Sequence, residues 1–208
     1  MDGPTIQAAA DQSLSQGTKA ADVFDALSTA TQGGVPAVVM TYWNPIEKYG
    51  VSEFAQSIQA AGGSGVITPD LTIEEAGSWR SCVQAESINS IFVVAPSTND
   101  ERLKKVTAEC SGFIYAASLM GVTGTRTAVS SSAQDLVSRI RKVSTTPVAV
   151  GLGVSTKDQA HEVAQYADGV IVGSAFIRLL QESATHQAGI EAVKALAQSL
   201  SEGVRRSK

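Results

Sequence analysis

Two stretches close to the C-terminus decide the fold: Pro147-Val148-Ala149-Val150-Gly151-Leu152-Gly153 and Gly169-Val170-Ile171-Val172-Gly173-Ser174-Ala175. Each is a short β-branched run that ends on glycine, so backbone N–H groups unobstructed by side chains can converge there on an anion. Gly173-Ser174 also opens a helical pattern, whose positive dipole end favours a phosphate. A glycine after a strand is commonly only a turn. Two such turns on consecutive strand ends are what a (β/α)8 barrel uses to bind phosphate after its last two strands, beside a short extra helix.

Working back from these runs, four more segments rich in Val, Ile, Phe and Ala read as strands: 37–41, 65–68, 90–95 and 112–117. With 147–150 and 169–172 they make six. Their nearly continuous apolar character marks parallel strands covered on both faces, since half-exposed antiparallel strands alternate. Helical periodicity occupies 52–61, 72–86, 100–110, 133–143 and 157–166. Thr72 with Glu75 and Ser155 with Asp158 fit the capping box, and Asn99 precedes the acidic turn Asp100-Glu101. The alternation of strand and helix selects an α/β fold.

The strands start about 26 residues apart, close to the unit size of a parallel barrel. Residues 5–30 read as helix broken near Gly17-Thr18, so the first strand comes only at Ala37. The expected architecture is therefore one incomplete domain over 1–208: a (β/α)8 TIM barrel lacking its first two strands, about 50 residues, with about six parallel strands present. A six-stranded open doubly wound sheet is the alternative, but it leaves the paired glycine turns without their usual explanation.

Composition sets bounds on partners. Hydrophobic residues at 43% and charged residues at 17% suit a soluble globular domain with a sizeable core. A net charge of -4 with scattered Lys and Arg argues against a nucleic-acid surface, and the cluster at Arg205, Arg206 and Lys208 reads as a solvated helix end. Cys82 and Cys110 lack any metal-ligand or CxxC spacing, and so read as reduced apolar fillers in a cytoplasmic protein with no metal. No apolar run reaches the ~18 residues of a membrane span, and the polar start is unlike a signal peptide.

Several short motifs in one order carry a family resemblance: Asp2-Gly3-Pro4-Thr5-Ile6-Gln7, Met40-Thr41-Tyr42-Trp43-Asn44-Pro45 with Tyr49-Gly50, Pro69-Asp70-Leu71, Ala95-Pro96, Gly121-Val122-Thr123-Gly124, and the two glycine turns. From Asp2 to about Arg178 the chain resembles the α chain of tryptophan synthase. The resemblance implies a lyase that cleaves indole-3-glycerol phosphate by a retro-aldol step to indole and glyceraldehyde 3-phosphate. It implies no cofactor in this chain, and an α2β2 assembly with a β subunit that carries pyridoxal phosphate. Asp2 matches the carboxylate that bonds the indole nitrogen, and Tyr115 is the second residue placed at the catalytic centre. Tyr42, Thr123, Gly124, Gly151, Leu152, Gly153, Gly173 and Ser174 match substrate-binding positions, with 121–124 in a lid. Asn44, Pro45 and Asp70 match loops that meet the β subunit, Asp70 also relaying closure.

One departure bears on activity. The family's general acid/base glutamate, at the end of an early strand, has no counterpart in these residues, nor has an aromatic residue that lines the indole pocket. Glu47, Glu74 and Glu75 fall in loops or first helical turns and do not replace it. The chain is then expected to be a poor catalyst, because such a group supplies about 10²–10⁴-fold. A non-catalytic subunit that docks on the β subunit, or an inert fragment left by a misplaced start codon or a gene remnant, are the other readings. Leu152 stands where relatives often carry Phe and still offers an apolar wall. His161 and His186 read as solvated, and Trp43 and Trp79 as packing residues.

Overall fold

The computed structural model describes residues 3–117, 126–151 and 153–205, the first few of α7 by backbone only. In chain order the elements are α1 (Pro4–Ser15), α2 (Ala20–Gln32), β1 (Val38–Met40), α3 (Trp43–Tyr49), α4 (Val51–Ala60), β2 (Gly65–Ile67), α5 (Gly77–Ala85), β3 (Asn89–Ile91), β4 (Val93–Val94), α6 (Asp100–Glu109), β5 (Ile114–Ala117), α7 (Arg126–Arg141), β6 (Val148–Gly151), α8 (Lys157–Ala164), β7 (Gly169–Ile171), α9 (Ser174–Glu182) and α10 (His186–Val204). Strand and helix alternate as the sequence predicts. Two compact units emerge, one of Thr18–Tyr115 with Ile140–Thr146, the other of the described parts of Met1–Gly17, Ala116–Arg139 and Pro147–Lys208.

In the first unit β1, β2 and β3 form a parallel sheet in register Val39↔Val66↔Ser90. Gly65 sits where a Cβ would lie 2.7 Å from the Asn89 carbonyl oxygen, so close strand approach requires glycine there. β2 is buried along its whole length, as expected of a strand covered on both faces. β1 is not. Val39 is buried, while its neighbours Val38 and Met40 on the opposite face are 36% and 51% exposed. The predicted strand 90–95 is two strands, interrupted at Phe92, whose carbonyl accepts from Tyr115 N–H at 3.2 Å. The helical layer closes around an aromatic cluster in which Phe24, Tyr49 and Phe54 meet edge to face and Phe54 leads on to the fully buried Trp79. Such a cluster supplies large apolar burial where α2, α3, α4 and α5 converge.

In the second unit β6 and β7 pair in parallel. α10 packs along α8, and Lys157 bridges Glu202 at 2.8 Å. Gly203 is obligatory at this crossing, since a Cβ would collide with the Lys157 carbonyl. His161 differs from the solvated reading: its Nδ1 lies 3.1 Å from the Gly203 carbonyl and its Nε2 3.2 Å from the Gln165 amide nitrogen. The Gly203 carbonyl can only accept, so Nδ1 donates to it.

Two boundaries differ for local reasons. α5 starts at Gly77 and not at 72, because Thr72 and Glu75 close a separate turn: Glu75 N–H donates to the Thr72 carbonyl at 3.2 Å and the Thr72 hydroxyl to the Glu75 carboxylate at 2.8 Å. α8 is capped by Thr156 with Gln159, one residue beyond the expected Ser155 and Asp158 pair. The Asn99 cap is as expected, accepting from Arg102 N–H at 2.8 Å. No helix among the described residues is long and apolar enough to cross a membrane.

Candidate functional site

The two glycine turns leave the same end of one strand pair. In the β6/β7 register Val150 faces Val170 and Gly151 faces Ile171, so the chain leaves both strands at the same end of the pair, toward Gly153 in one case and Gly173 in the other. Gly151 itself is the last residue of β6, which lies one residue further along than the sequence suggested. Gly153 has φ +71°, a left-handed conformation that costs other residues, so its glycine is explained by the backbone. Gly173 has φ -129° and needs no such dispensation. Among the described residues a Cβ at Gly173 would meet no heavy atom within 4 Å, so no steric contact with them demands glycine there. What remains as a reason is access to the backbone at the start of α9. There Phe176 N–H makes the first helical bond, to the Gly173 carbonyl at 3.0 Å, which leaves the Ser174 and Ala175 N–H groups at the helix entrance. Ser174 is exposed.

In the first unit, Tyr42, Asn44, Pro45 and Asp70 gather at the exits of β1 and β2, which the Met40↔Ile67 register places side by side. Asn44 and Pro45 are not in a loop: they form the first turn of α3, where proline is tolerated because its N–H would have no helical partner. Tyr42 is the N-cap residue of α3 and 42% exposed, yet it supplies no side-chain cap. Asp70 does so from the neighbouring loop, its carboxylate oxygens accepting from Trp43 N–H at 2.9 and 3.1 Å. An aspartate just past a strand commonly caps the helix that follows it in sequence. The structure assigns it across the sheet, a pairing visible only once β1 and β2 are in register. Tyr115 stands on β5, half-buried, and burial raises its phenol above the usual value, so it is a protonated donor at neutral pH.

Asp2, Thr123, Gly124 and Leu152 lie outside the described residues. The larger clefts are at the other strand ends. One of about 440 Å³ opens at the start of β3, where Arg80 is already paired with Glu109 at 2.9 Å, and one of about 400 Å³ opens at the start of β7 beside Asp168 and Val204. In parallel α/β folds ligands bind beyond the carboxyl ends of strands, so the glycine turns outweigh cleft size.

A model of the family "Tryptophan synthase alpha chain" matches residues 1–205. The tryptophan synthase alpha chain of Streptomyces avermitilis is 52% identical over 206 residues, 99% of this chain and 74% of the relative. That of Nocardia farcinica is 53% identical over 205 residues, 99% of this chain and 75% of the relative. Among solved structures, the aminoacrylate-bound form of tryptophan synthase from M. tuberculosis superposes with a TM-score of 0.89 at 44% identity, covering 99% of this chain and 76% of that one. A mutant tryptophan synthase alpha-subunit from Pyrococcus furiosus gives 0.84 at 32% identity, over 96% and 80%. The chain thus spans about three quarters of the length of its relatives. With parallel strands in βα order, glycine turns on the last two of them and this likeness over nearly its whole length, the chain is a (β/α) barrel protein that belongs to the tryptophan synthase alpha chain family of lyases in tryptophan biosynthesis.

Proposed function

We propose that the chain binds indole-3-glycerol phosphate and directs its retro-aldol cleavage to indole and glyceraldehyde 3-phosphate, as the alpha subunit of a complex with a β subunit. The observation that carries this is that the Gly153 and Gly173 turns follow the same end of the paired strands β6 and β7, with no heavy atom of the described residues within 4 Å of a Cβ at Gly173. In this reading residues 1–208 make one incomplete barrel domain. Backbone N–H groups at Gly151, Leu152, Gly153, Gly173 and Ser174 hold the phosphate, Asp2 bonds the indole N–H, and Thr123 and Gly124 belong to the closing lid. Tyr42 and Tyr115 line the substrate.

The chemistry needs a proton delivered to the indole carbon at the scissile bond and one removed from the adjacent glycerol hydroxyl. The C–C bond then breaks, its electron pair restores the aromatic ring, and the hydroxyl carbon leaves as the aldehyde. Asp2 stabilises the positive charge on the ring nitrogen meanwhile, and a second carboxylate is the natural proton carrier. None of these 208 residues matches that carboxylate. The 208-residue chain alone is therefore expected to turn over slowly, by about 10²–10⁴-fold. This chain brings no cofactor to the reaction, and pyridoxal phosphate belongs to the β partner. The free cysteines Cys82 and Cys110 suit a cytoplasmic setting.

A second reading, docking on the β subunit without cleavage, draws support from the exposed first turn of α3 held in place by Asp70. Indole release from indole-3-glycerol phosphate by the 208-residue chain, measured with and without a β subunit, separates the two. Fast turnover by the chain alone sinks the missing-carboxylate argument, and stimulation of the β reaction without indole release supports docking only. If calorimetry detects no binding of the substrate, the phosphate assignment falls.

A further inference from the structure

Asp70 reaches out of its own loop to cap a helix that another strand delivers. α3 has no side-chain cap from Tyr42, and both Asp70 oxygens bond the Trp43 N–H, at 2.9 and 3.1 Å. The loop that carries Asp70 is itself clamped: Arg102 of α6 forks onto Glu74, both bonds 3.0 Å, and this hydrogen bond holds the Glu74 carboxyl below its ordinary range. Thr41 N–H donates to the Ile67 carbonyl at 3.1 Å, so the two strand exits are tied just before they diverge. Beyond the cap, the Trp43 ring packs at 6.1 Å on Trp79, which is fully buried. The first turn of α3 is therefore fixed on one side by a carboxylate and on the other by an indole, with Asn44 and Pro45 exposed between them.

We propose that Asp70 is a positioning residue: it sets the first turn of α3, and with it Asn44 and Pro45, in the orientation that the β subunit receives, and does not itself pair with a cation of that partner. This rests on the docking reading given above. An exposed carboxylate beside an interface invites assignment as an ion-pair partner. Its two bonds to one backbone N–H assign it instead to holding its neighbour, and as a cap acceptor asparagine ranks with aspartate.

The test uses the 208-residue chain, Asp70→Ala and Asp70→Asn, with folding checked by far-UV circular dichroism. In the free chain, hydrogen exchange at the Trp43 amide and the near-UV signal of the Trp43–Trp79 pair report the cap. Calorimetry at two salt concentrations reports affinity for the β subunit. Asp70→Ala should lose Trp43 protection and bind about fivefold more weakly, the fraction of chains with an ordered first turn setting the apparent affinity. Asp70→Asn, which keeps a carbonyl oxygen, should restore both, with little dependence on salt. Asp70→Asn as weak as Asp70→Ala, with a loss that shrinks at high salt, would establish a direct ion pair and overturn the proposal. So would intact Trp43 protection in Asp70→Ala. If the unsubstituted chain does not bind the β subunit while Trp43 is protected, the docking reading fails and takes the positioning role with it.

Discussion

Replacing Gly173 by alanine separates what the fold needs from what a ligand needs. Gly173, at φ -129°, is outside the left-handed region, and the new Cβ has no heavy atom of the described residues within 4 Å, so no clash should harm the folded state. Loss of glycine freedom in the unfolded chain adds about 0.4–1 kcal/mol of stability. The same methyl group, however, stands over the entrance of α9, where the Ser174 and Ala175 N–H groups would meet a phosphate. Losing one charge-assisted hydrogen bond costs about 1.5–3 kcal/mol, or about 10- to 150-fold in Kd. Gly153→Ala is the contrast: at φ +71° alanine is strained by about 1–2 kcal/mol, so the fold should weaken as well. Thermal unfolding of both variants, with titration of inorganic phosphate followed by phosphorus NMR or calorimetry, gives the two readouts. Gly173→Ala binding phosphate within twofold of the parent chain would refute the shared-anion site; a large fall in its melting temperature would refute the steric reasoning.

Other expectations follow from burial and contact. Gly203→Ala should destabilise by about 2 kcal/mol, lowering Tm by roughly 4–8 °C, because the methyl collides with the Lys157 carbonyl even though alanine is the better helix former; an unchanged Tm would mean that α10 shifts freely on α8. Thr68 is 1% exposed and its hydroxyl has no partner among the described residues, so Thr68→Val should gain about 1 kcal/mol in urea unfolding, and a loss would show that the hydroxyl is bonded. Burial pushes the Cys110 thiol from near 9 up to about 11. The unfolded chain then loses that proton first, so the stability present below pH 9 declines as pH rises toward 11, on the order of 1–2 kcal/mol. Comparing urea midpoints at pH 8 and 10.5 with those of Cys110→Ala checks it: the substitution should remove that share of the alkaline loss.

The strands were legible because each is an apolar run bounded by turn residues, and the Asn99 cap because its partner Arg102 lies three residues away. What stayed hidden depends on residues distant in sequence. Trp43-Asn44-Pro45 reads as a turn when met alone, since its helix is completed by Asp70 from another strand exit. Thr72 and Glu75 carry the letters of a capping box and make a hydrogen bond, yet the chain turns there and the helix begins later. His161 looks solvated until α10 brings the Gly203 carbonyl to its Nδ1. The open face of β1 is another case, because Val38 and Met40 are as apolar as the buried residues of β2, and only packing distinguishes them.

Parallel pairing is what turns local glycine signals into a candidate site. When two neighbouring strands run the same way in register, their exit loops emerge side by side, whatever the intervening helix does. The principle acts twice in this chain: β6 and β7 lead to the Gly153 and Gly173 turns at the same end of the pair, and β1 and β2 bring Asp70 to Trp43. A one-residue slip of either pair would turn every strand side chain to the opposite face, and so would also cost the burial of Val39 or Val150. Core packing and site geometry are therefore fixed by the same register. Gly173, where a Cβ would meet no heavy atom of the described residues within 4 Å, is accordingly the position at which the proposed phosphate site is most directly tested.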